Sequence, residues 1–514
     1  MAETNSDRLL SPVFKKIILW FKKDSVFKLA VTLIFAIGII FRFWDYYDRI
    51  VILADNSRDI QVAKYALDYF RIPQIGQFSS AGPFFYGPWY YWILMVFSKA
   101  PLGLLSPWYM MSLLSLVFVL LIFWLGKEIG GRHLGALAAF FAVISPAQIS
   151  NSLAVWNPAI IPLLSVIILI FMTKYFSYRR TREIFIFGFV LSLAITIHFQ
   201  SILLLPVLIV LLIATKPPKK HLIYLFFGLL IPFLPLIYFD VRHYWYDFKS
   251  VFIYLAIDQY SIYVPNRWLT YVFSYWPLTW GQIIGGNKWA GGAVIILLAG
   301  FTLARFKEFN KNKIFYLISL TFVLEVLLFR YYRGPRYEYY SYFTHPTVLI
   351  LSAWALKKLV EVQRLAGIFF IILVVFVTLN QSITNFKETG ISFKKINILK
   401  TEIYSTFPKD FEFSIYGCKE NTSSLSHPLA LFIYNDKKNN LDGIKIGVCE
   451  TAQKFEWVIL SSKKIQEEGY VNKTTSKVFT ETAEWWKENP PQKDAQFWQF
   501  MKRKLNPSCY PHCL

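Results

Sequence analysis

Eleven apolar runs decide what this 514-residue chain can fold into. They lie at about 27–44, 107–126, 133–149, 154–173, 184–198, 200–215, 221–239, 289–304, 314–330, 345–356 and 365–380. Only helices and closed barrels satisfy their own backbone polar groups inside a bilayer, and long unalternating apolar runs are helical. Several runs are shorter than the ~20 residues a spanning helix needs, so their helices are expected to extend into the flanking loops. With 55% hydrophobic and 17% charged residues the chain is too apolar for an ordinary soluble protein. The expectation is a polytopic α-helical membrane protein of about eleven transmembrane helices.

The net charge of +22 raises the question of nucleic acid. The cations sit in short blocks between apolar runs, which is how membrane proteins set their orientation. These blocks are Lys15/Lys16/Lys22/Lys23, Lys127/Arg132, Lys174/Arg179/Arg180/Arg182, Lys216/Lys219/Lys220, Arg305/Lys307/Lys311/Lys313 and Lys357/Lys358/Arg364. Eleven spans place all of them on the cytoplasmic side, and no nucleic acid partner is expected. Counting 84–100 as a twelfth span would reverse every block after the first. That segment, with its PFFYGPWYYW run, is therefore expected to lie in or dip into the outer interface. The N-terminus is then cytoplasmic and retained as a span, and the C-terminus is outside. Long outside segments fall at 45–106, 240–288 and 383–514, with short outside turns near 150–153, 198–200 and 331–344. The polar His198-Phe-Gln200 is expected to turn a tight hairpin.

The chain divides into 1–382, the membrane part, and 383–514, a polar tail expected to form a small extracytoplasmic α/β domain. Strand-like alternation occurs there in FEFSIYG, LALFIYN and KFEWVILSS. All four cysteines, Cys418, Cys449, Cys509 and Cys513, lie in it, which fits a disulfide-permitting compartment. Cys418 with Cys449 and Cys509 with Cys513 is one of three pairings, and a zinc site near His512 is the other reading. Asn421 and Asn472 match the glycosylation acceptor pattern, which recurs by chance.

Candidate chemistry gathers on the outside face. Asp55 opens a short amphipathic helix in the first outside loop (Ile60, Ala63, Leu67, Phe70). It reads either as a general base at the membrane surface or, with Ser57, as a cap on that helix. Arg58 and Asp59 follow and can pair with each other. Arg330, Arg333 and Arg336 break the charge bias, being three arginines at the outer mouth of a span among Tyr331, Tyr332, Tyr337, Tyr339 and Tyr340. They suit phosphate oxygens, or else an interfacial belt in which Glu338 pairs with one of them. Trp156-Asn157-Pro158, His198 with Gln200, and Asp240-Val-Arg242-His243 occupy other outside turns, as substrate-pocket candidates or satisfied interfacial residues. No nucleotide-binding loop, zinc signature or nucleophile elbow occurs in the sequence, and no metal is expected.

The order of these features resembles the integral-membrane glycosyltransferases of the GT-C fold. It runs from a span through D-x-x-x-D on a short helix, an aromatic GP-x-YY-W run, a basic turn, W-N-P and an H-F-Q turn to F-D-x-R-H before a large outside loop. The group it is most similar to is the bacterial protein-mannosyltransferase-like and aminoarabinose-transferase-like branch, over roughly residues 27–350. The resemblance implies that Asp55 is the catalytic base. Many members have two adjacent acids there. This chain has Asp55-Asn56, so the second acid falls to Asp59. The family's KPP-like run corresponds to Gly82-Pro83-Phe84-Phe85-Tyr86-Gly87-Pro88, without the lysine that contacts donor phosphate in some relatives. The resemblance passes that role to Arg330, Arg333 or Arg336; Arg58 is expected as a further donor-phosphate contact, with Tyr86 and Tyr337 in the substrate pocket.

The implied activity is inverting, metal-independent transfer of a monosaccharide from a polyprenyl-phosphate donor to an acceptor hydroxyl on a glycan, lipid or protein at the outer face. The lipid-linked sugar is a co-substrate, and no other cofactor is expected. Two other readings stay open: a lipid or polysaccharide flippase or transporter, and an oligosaccharide ligase or polymerase using a diphosphate-linked donor.

Overall fold

The structure, a computed structural model, describes residues 24–68, 70, 72–79, 82, 84–256, 267–304, 312–332, 336–384, 392–407, 412–417, 429, 443–451, 454–467 and 471–472. Arg333, Cys418, Cys509, Cys513, His512, Asn421 and nearly all of LALFIYN lie outside the described residues.

The helices run as follows: α1 Ser25–Phe43, α2 Tyr46–Arg49, α3 Ala54–Asp68, α4 Trp89–Ser98, α5 Ser106–Gly130, α6 Arg132–Ile144, α7 Pro146–Ser152, α8 Ile161–Tyr178 and α9 Thr181–Ile197. After them come α10 Leu205–Thr215, α11 Lys219–Arg242, α12 Tyr246–Ala256, α13 Arg267–Ile283, α14 Lys288–Ala304, α15 Lys313–Tyr331, α16 His345–Val362, α17 Arg364–Thr384 and α18 Phe393–Thr406. All eleven apolar runs are helical. Six helices, α1, α5, α8, α11, α15 and α17, are long and apolar enough to cross a bilayer. Counting the bent pairs α6–α7 and α13–α14 as one span each makes eight among the described residues, fewer than the eleven expected. The difference comes from α9 and α10, at 17 and 11 residues, and from α16, whose last turns carry Lys357 and Lys358. The segment 84–100 holds only the ten-residue α4, packed on α3 and α5 and too short to span.

Contacts sort the loops to two ends of the bundle. At one end Arg132 pairs with Asp24 at 2.7 Å, Asn312 donates to the Ile129 carbonyl at 2.6 Å, and Lys357 donates to the Gly130 carbonyl at 3.1 Å. Also among the basic blocks, Arg179 donates to the Thr215 carbonyl and Tyr175 meets His221 at 2.8 Å. At the other end Val51 bridges to Ala154 and Ser392, and Gly87 N donates to the Thr196 carbonyl at 2.7 Å. Val51, Gly87, Ala154, Thr196 and Ser392 thus gather at this end, apart from these basic blocks.

The turn at 198–200 forms, but it is not a packed hairpin. His198 leaves helical geometry (φ −148°, ψ 111°), after which α9 packs on α8 and α11 while α10 packs on α15. The α6–α7 bend of 61° has a local cause. Pro146 at the first position of α7 has no N–H, and Ser145 caps the new helix. The last carbonyls of α6 then need other donors. Buried Arg42 reaches Ala142 and Val143 at 3.3 Å each, its Nε donates to Ser115 Oγ at 2.9 Å, and Ser382 Oγ donates to Ile144 at 2.6 Å. Close approach of α5 and α6 requires Gly135, where a Cβ would stand 2.4 Å from the Phe123 carbonyl.

The tail forms a four-stranded mixed sheet of order β3-β2-β1-β4, from β1 Phe413–Gly417, β2 Ile444–Thr451, β3 Lys454–Ile459 and β4 Val471–Asn472. Strand β2, parallel to β1, went unread in the sequence. Helix α18 leads into the sheet and rests on the first outside segment: Lys394 pairs with Asp48 at 3.1 Å, and the Phe393 and Tyr47 rings lie 5.2 Å apart.

Candidate active site

Helix α3 starts where Asn56 allows it to. Its Oδ1 accepts from Leu53 N at 2.8 Å and its Nδ2 donates to the Val51 carbonyl at 2.9 Å, the reach-back half of a capping box. Asn56 therefore does the capping once considered for Asp55. The Asp55 side chain remains 78% exposed, held by one ion pair to Arg58 Nη1 at 2.9 Å. Phe70, expected on this helix, lies beyond its end and is exposed.

Asp59, expected as a second catalytic acid, has a different position from Asp55. It is 2% exposed. Arg58 Nε and Nη2 donate to its Oδ1 at 3.0 and 2.9 Å, Tyr91 OH to the same oxygen at 3.4 Å, and Gln77 Nε2 to Oδ2 at 2.7 Å. Burial pushes its carboxyl up, while Arg58 and Gln77 pull the other way. An acid so enclosed cannot meet an acceptor hydroxyl. Arg58 is committed to the two aspartates, where a phosphate contact had been expected.

The turns near His198 and Tyr339 meet in an aromatic wall. His198 is buried, stacked on Tyr86 at 5.8 Å and edge-on or tilted to Tyr339 and Tyr340, both at 5.9 Å. Burial lowers its pKa to about 3, so the ring is neutral at physiological pH. Trp156 meets Tyr339 at 5.1 Å, and half-exposed Tyr337 stacks on Tyr339 at 5.4 Å. Asn157 donates to the Ile197 carbonyl at 2.8 Å, tying two turns together, and Gln200 is buried with its Oε1 unpartnered. Burial raises the Tyr339 phenol, and the nearby Tyr337 and Asp55 add to the rise. Asp55 therefore lies within electrostatic reach of this wall.

The wall continues to the arginines. Tyr340 faces Tyr332 at 5.8 Å, and Tyr332 OH meets Tyr254 OH at 2.8 Å. Arg336 Nη2 donates to the Tyr332 and Arg330 carbonyls at 3.0 and 3.2 Å, and Arg267 donates to Tyr332 as well. Arg330 lies 4.1 Å above the Trp268 ring and Arg336 4.9 Å from that of Tyr271. Among the described residues no carboxylate pairs with Arg330 or Arg336, and the Nε of each is buried without a partner. Glu338 does not neutralise them.

Asp240, Arg242 and His243 have contacts within residues 238–248. Asp240 accepts from Asp247 N at 2.8 Å and Phe248 N at 3.0 Å, so it caps α12. Arg242 bonds Tyr238 one turn back on its own helix, and His243 stacks on Phe239 at 4.0 Å. Sequence reasoning missed Gln77, Tyr91, Asp247 and Arg267. Arg267 carried a usable signal, since it lies apart from the basic blocks in a segment expected outside. The other three carried none. Among the described residues no three His, Cys, Asp or Glu gather as a metal-binding set.

Buried Asp247 accepts from Phe85 N at 2.5 Å, joining the second outside loop to the first. Burial pushes its carboxyl up to about 8, with nearby Asp240 adding and Phe85 opposing. Between the unfolded value near ~4 and about 8 the folded state holds a proton that the unfolded chain has lost, so this group costs stability as pH rises through that window. Asp247→Asn is expected to flatten the fall in melting temperature between pH 5 and 8.5, read by scanning fluorimetry in detergent. An unchanged slope would remove Asp247 as its cause.

No family model matches the sequence, and neither does any curated protein. Solved structures do. ArnT from Cupriavidus metallidurans in the apo state aligns with a TM-score of 0.54 at 15% identity, over 78% of this chain and 84% of that one. Its form bound to undecaprenyl phosphate gives 0.52 at 13%, over the same shares. The Archaeoglobus fulgidus oligosaccharyltransferase in the apo form gives 0.50 at 12%, over 80% of this chain. These are GT-C membrane glycosyltransferases. The chain has the GT-C fold. It spans 64% of the length of the oligosaccharyltransferase.

Proposed function

We propose that this protein is a membrane glycosyltransferase moving a monosaccharide from a polyprenyl-phosphate donor to an acceptor hydroxyl, with inversion and without a metal. The observation that carries the reading is the run of contacts from Tyr339 through Tyr340 and Tyr332 to Arg336, beside which exposed Asp55 adds to the rise of the Tyr339 phenol. Asp55 takes the proton of the acceptor hydroxyl as its oxygen bonds the anomeric carbon. The bond from that carbon to the phosphate oxygen breaks, and its electron pair leaves on polyprenyl phosphate. Arg330 and Arg336, and Arg333 on the same stretch, stabilise that developing charge. Burial lowers the Arg336 guanidinium, a direction an arriving anion would reverse. Trp156, Tyr86 and Tyr339 provide ring faces against which a sugar packs. The ArnT relative bound to undecaprenyl phosphate supports a lipid-phosphate donor here.

This face is assigned to the outer side of the membrane and the basic end to the cytoplasm, following the charge bias. Lys394 and Ser392, which contact Asp48 and Val51, are assigned to the same side.

The test is purified protein in detergent with a radiolabelled polyprenyl-phosphate hexose or pentose and EDTA present. Acceptor-dependent release of polyprenyl phosphate is expected. Release only from diphosphate-linked oligosaccharide would establish the ligase reading in its place, and transbilayer movement of lipid without bond cleavage the flippase reading.

A further inference from the structure

Gln77 occupies a place that packing alone does not explain. It sits in a short hairpin in which Gly76 N donates to the Tyr86 carbonyl at 2.7 Å, Tyr86 N to that of Gln77 at 3.0 Å and Ser79 N to that of Phe84 at 2.8 Å. Gly76 is needed here, because a Cβ would stand 2.4 Å from the Gly87 carbonyl. Gly87 N on Thr196 and Phe85 N on Asp247 anchor the hairpin from outside. The Gln77 side chain is 6% exposed, and its Oε1 is buried with no partner. An unsatisfied buried acceptor is costly, so an apolar side chain of the same size would fill this space better.

The amide nitrogen supplies the reason. It donates at 2.7 Å to Asp59 Oδ2, while Oδ1 of the same carboxylate takes both Arg58 bonds. Arg58 spends its remaining terminal nitrogen on Asp55 at 2.9 Å. A carboxylate gripped by one oxygen can turn about its last bond and carry the guanidinium with it. The bond to the second oxygen fixes the carboxylate plane, hence the guanidinium plane, hence the direction of Nη1 at Asp55.

We infer that Gln77 is a positioning residue for sugar transfer, acting on Asp55 through Asp59 and Arg58. This rests on the reading of Asp55 as the base. The hairpin is the strut that carries the position, tied at Asp247 to the second outside loop.

The experiment is steady-state transfer by the full chain in detergent, comparing wild type, Gln77→Met, Gln77→Leu, Asp59→Asn and each double variant, with Asp55→Asn alongside. Gln77→Met and Gln77→Leu are expected to lower kcat about tenfold, since small misplacements of a catalytic group carry such costs. KM for donor and acceptor should move less than twofold. In the Asp59→Asn background either change should cost less than a further twofold, because the path is already cut. A kcat within twofold of wild type, or a full tenfold loss repeated in the Asp59→Asn background, overturns the inference while leaving Asp55 as the base. Full activity in Asp55→Asn overturns both. If Gln77→Leu does not fold, the unbranched Gln77→Met, closest in length, decides.

Discussion

Asp55→Asn and Asp55→Ala are each expected to lower kcat for transfer by ~10²–10⁴, the range a positioned general base contributes. Donor binding and melting temperature should stay close to wild type. The separation follows from where the side chain sits. At 78% exposure, with Arg58 as its hydrogen-bonding partner, Asp55 contributes little to the fold, and Asn56 does the capping. Losing a charge from the first turn of a helix costs only about 0.3–1 kcal/mol. A large loss of rate with an unchanged melting curve therefore points to chemistry. Asn keeps the size and shape of Asp and discards only the basic oxygen, whereas Ala removes the contact with Arg58 too. Equal losses in the two would place the whole effect in proton removal. Full activity in both would end the assignment of a base here.

Asp59→Asn gives the contrast. Two Arg58 bonds converge on one Asp59 oxygen, and Gln77 donates to the other. An amide there presents a donor to at least one of these donors and leaves the half-buried Arg58 guanidinium short of one charge partner. Such changes cost stability as well as rate. Two aspartates one helical turn apart thus separate into a reactive acid and a buried anchor, and the melting curve distinguishes them.

The apolar runs and the charge bias were legible because both report on solvent. A long apolar run has nowhere to go but a bilayer, and cations between such runs mark one side. That logic found the helices, set 84–100 at the interface rather than across the membrane and put Asp55, Trp156, His198 and Arg336 on one face. It could not tell Asp55 from Asp59, since which carboxylate is covered depends on Gln77 and Tyr91 arriving from elsewhere in the chain. Asp240 misled for a related reason. At the end of a span an aspartate looks like a polar group at a functional depth, but α12 turns back over it and uses both oxygens. Arg42 shows the same limit inside a span, where its partners exist only because α6 breaks at Ser145–Pro146.

Arg336→Met is expected to lower kcat by ~10²–10³, the cost of removing one preorganised donor from a developing oxyanion. It should also weaken inhibition by the product polyprenyl phosphate. Arg336 donates to the Tyr332 and Arg330 carbonyls; Tyr332 keeps its bond from Arg267, so the substitution leaves the Arg330 carbonyl short, at about 1–3 kcal/mol if it stays unsatisfied. A drop in melting temperature is therefore expected and does not by itself speak to catalysis. The leaving group separates the effects. A donor whose lipid phosphate is replaced by a less basic phenolate needs little help in departing, so Arg336→Met should slow its transfer far less than that of the natural donor. Asp55→Asn should slow both equally, because the acceptor proton must be removed in either case. Arg336→Lys restores charge without the planar fork and is expected to recover only part of the rate. Equal slowing of the two donors by Arg336→Met would make this arginine a structural clamp on the 330–340 turn and leave the departing phosphate to Arg330 and Arg267.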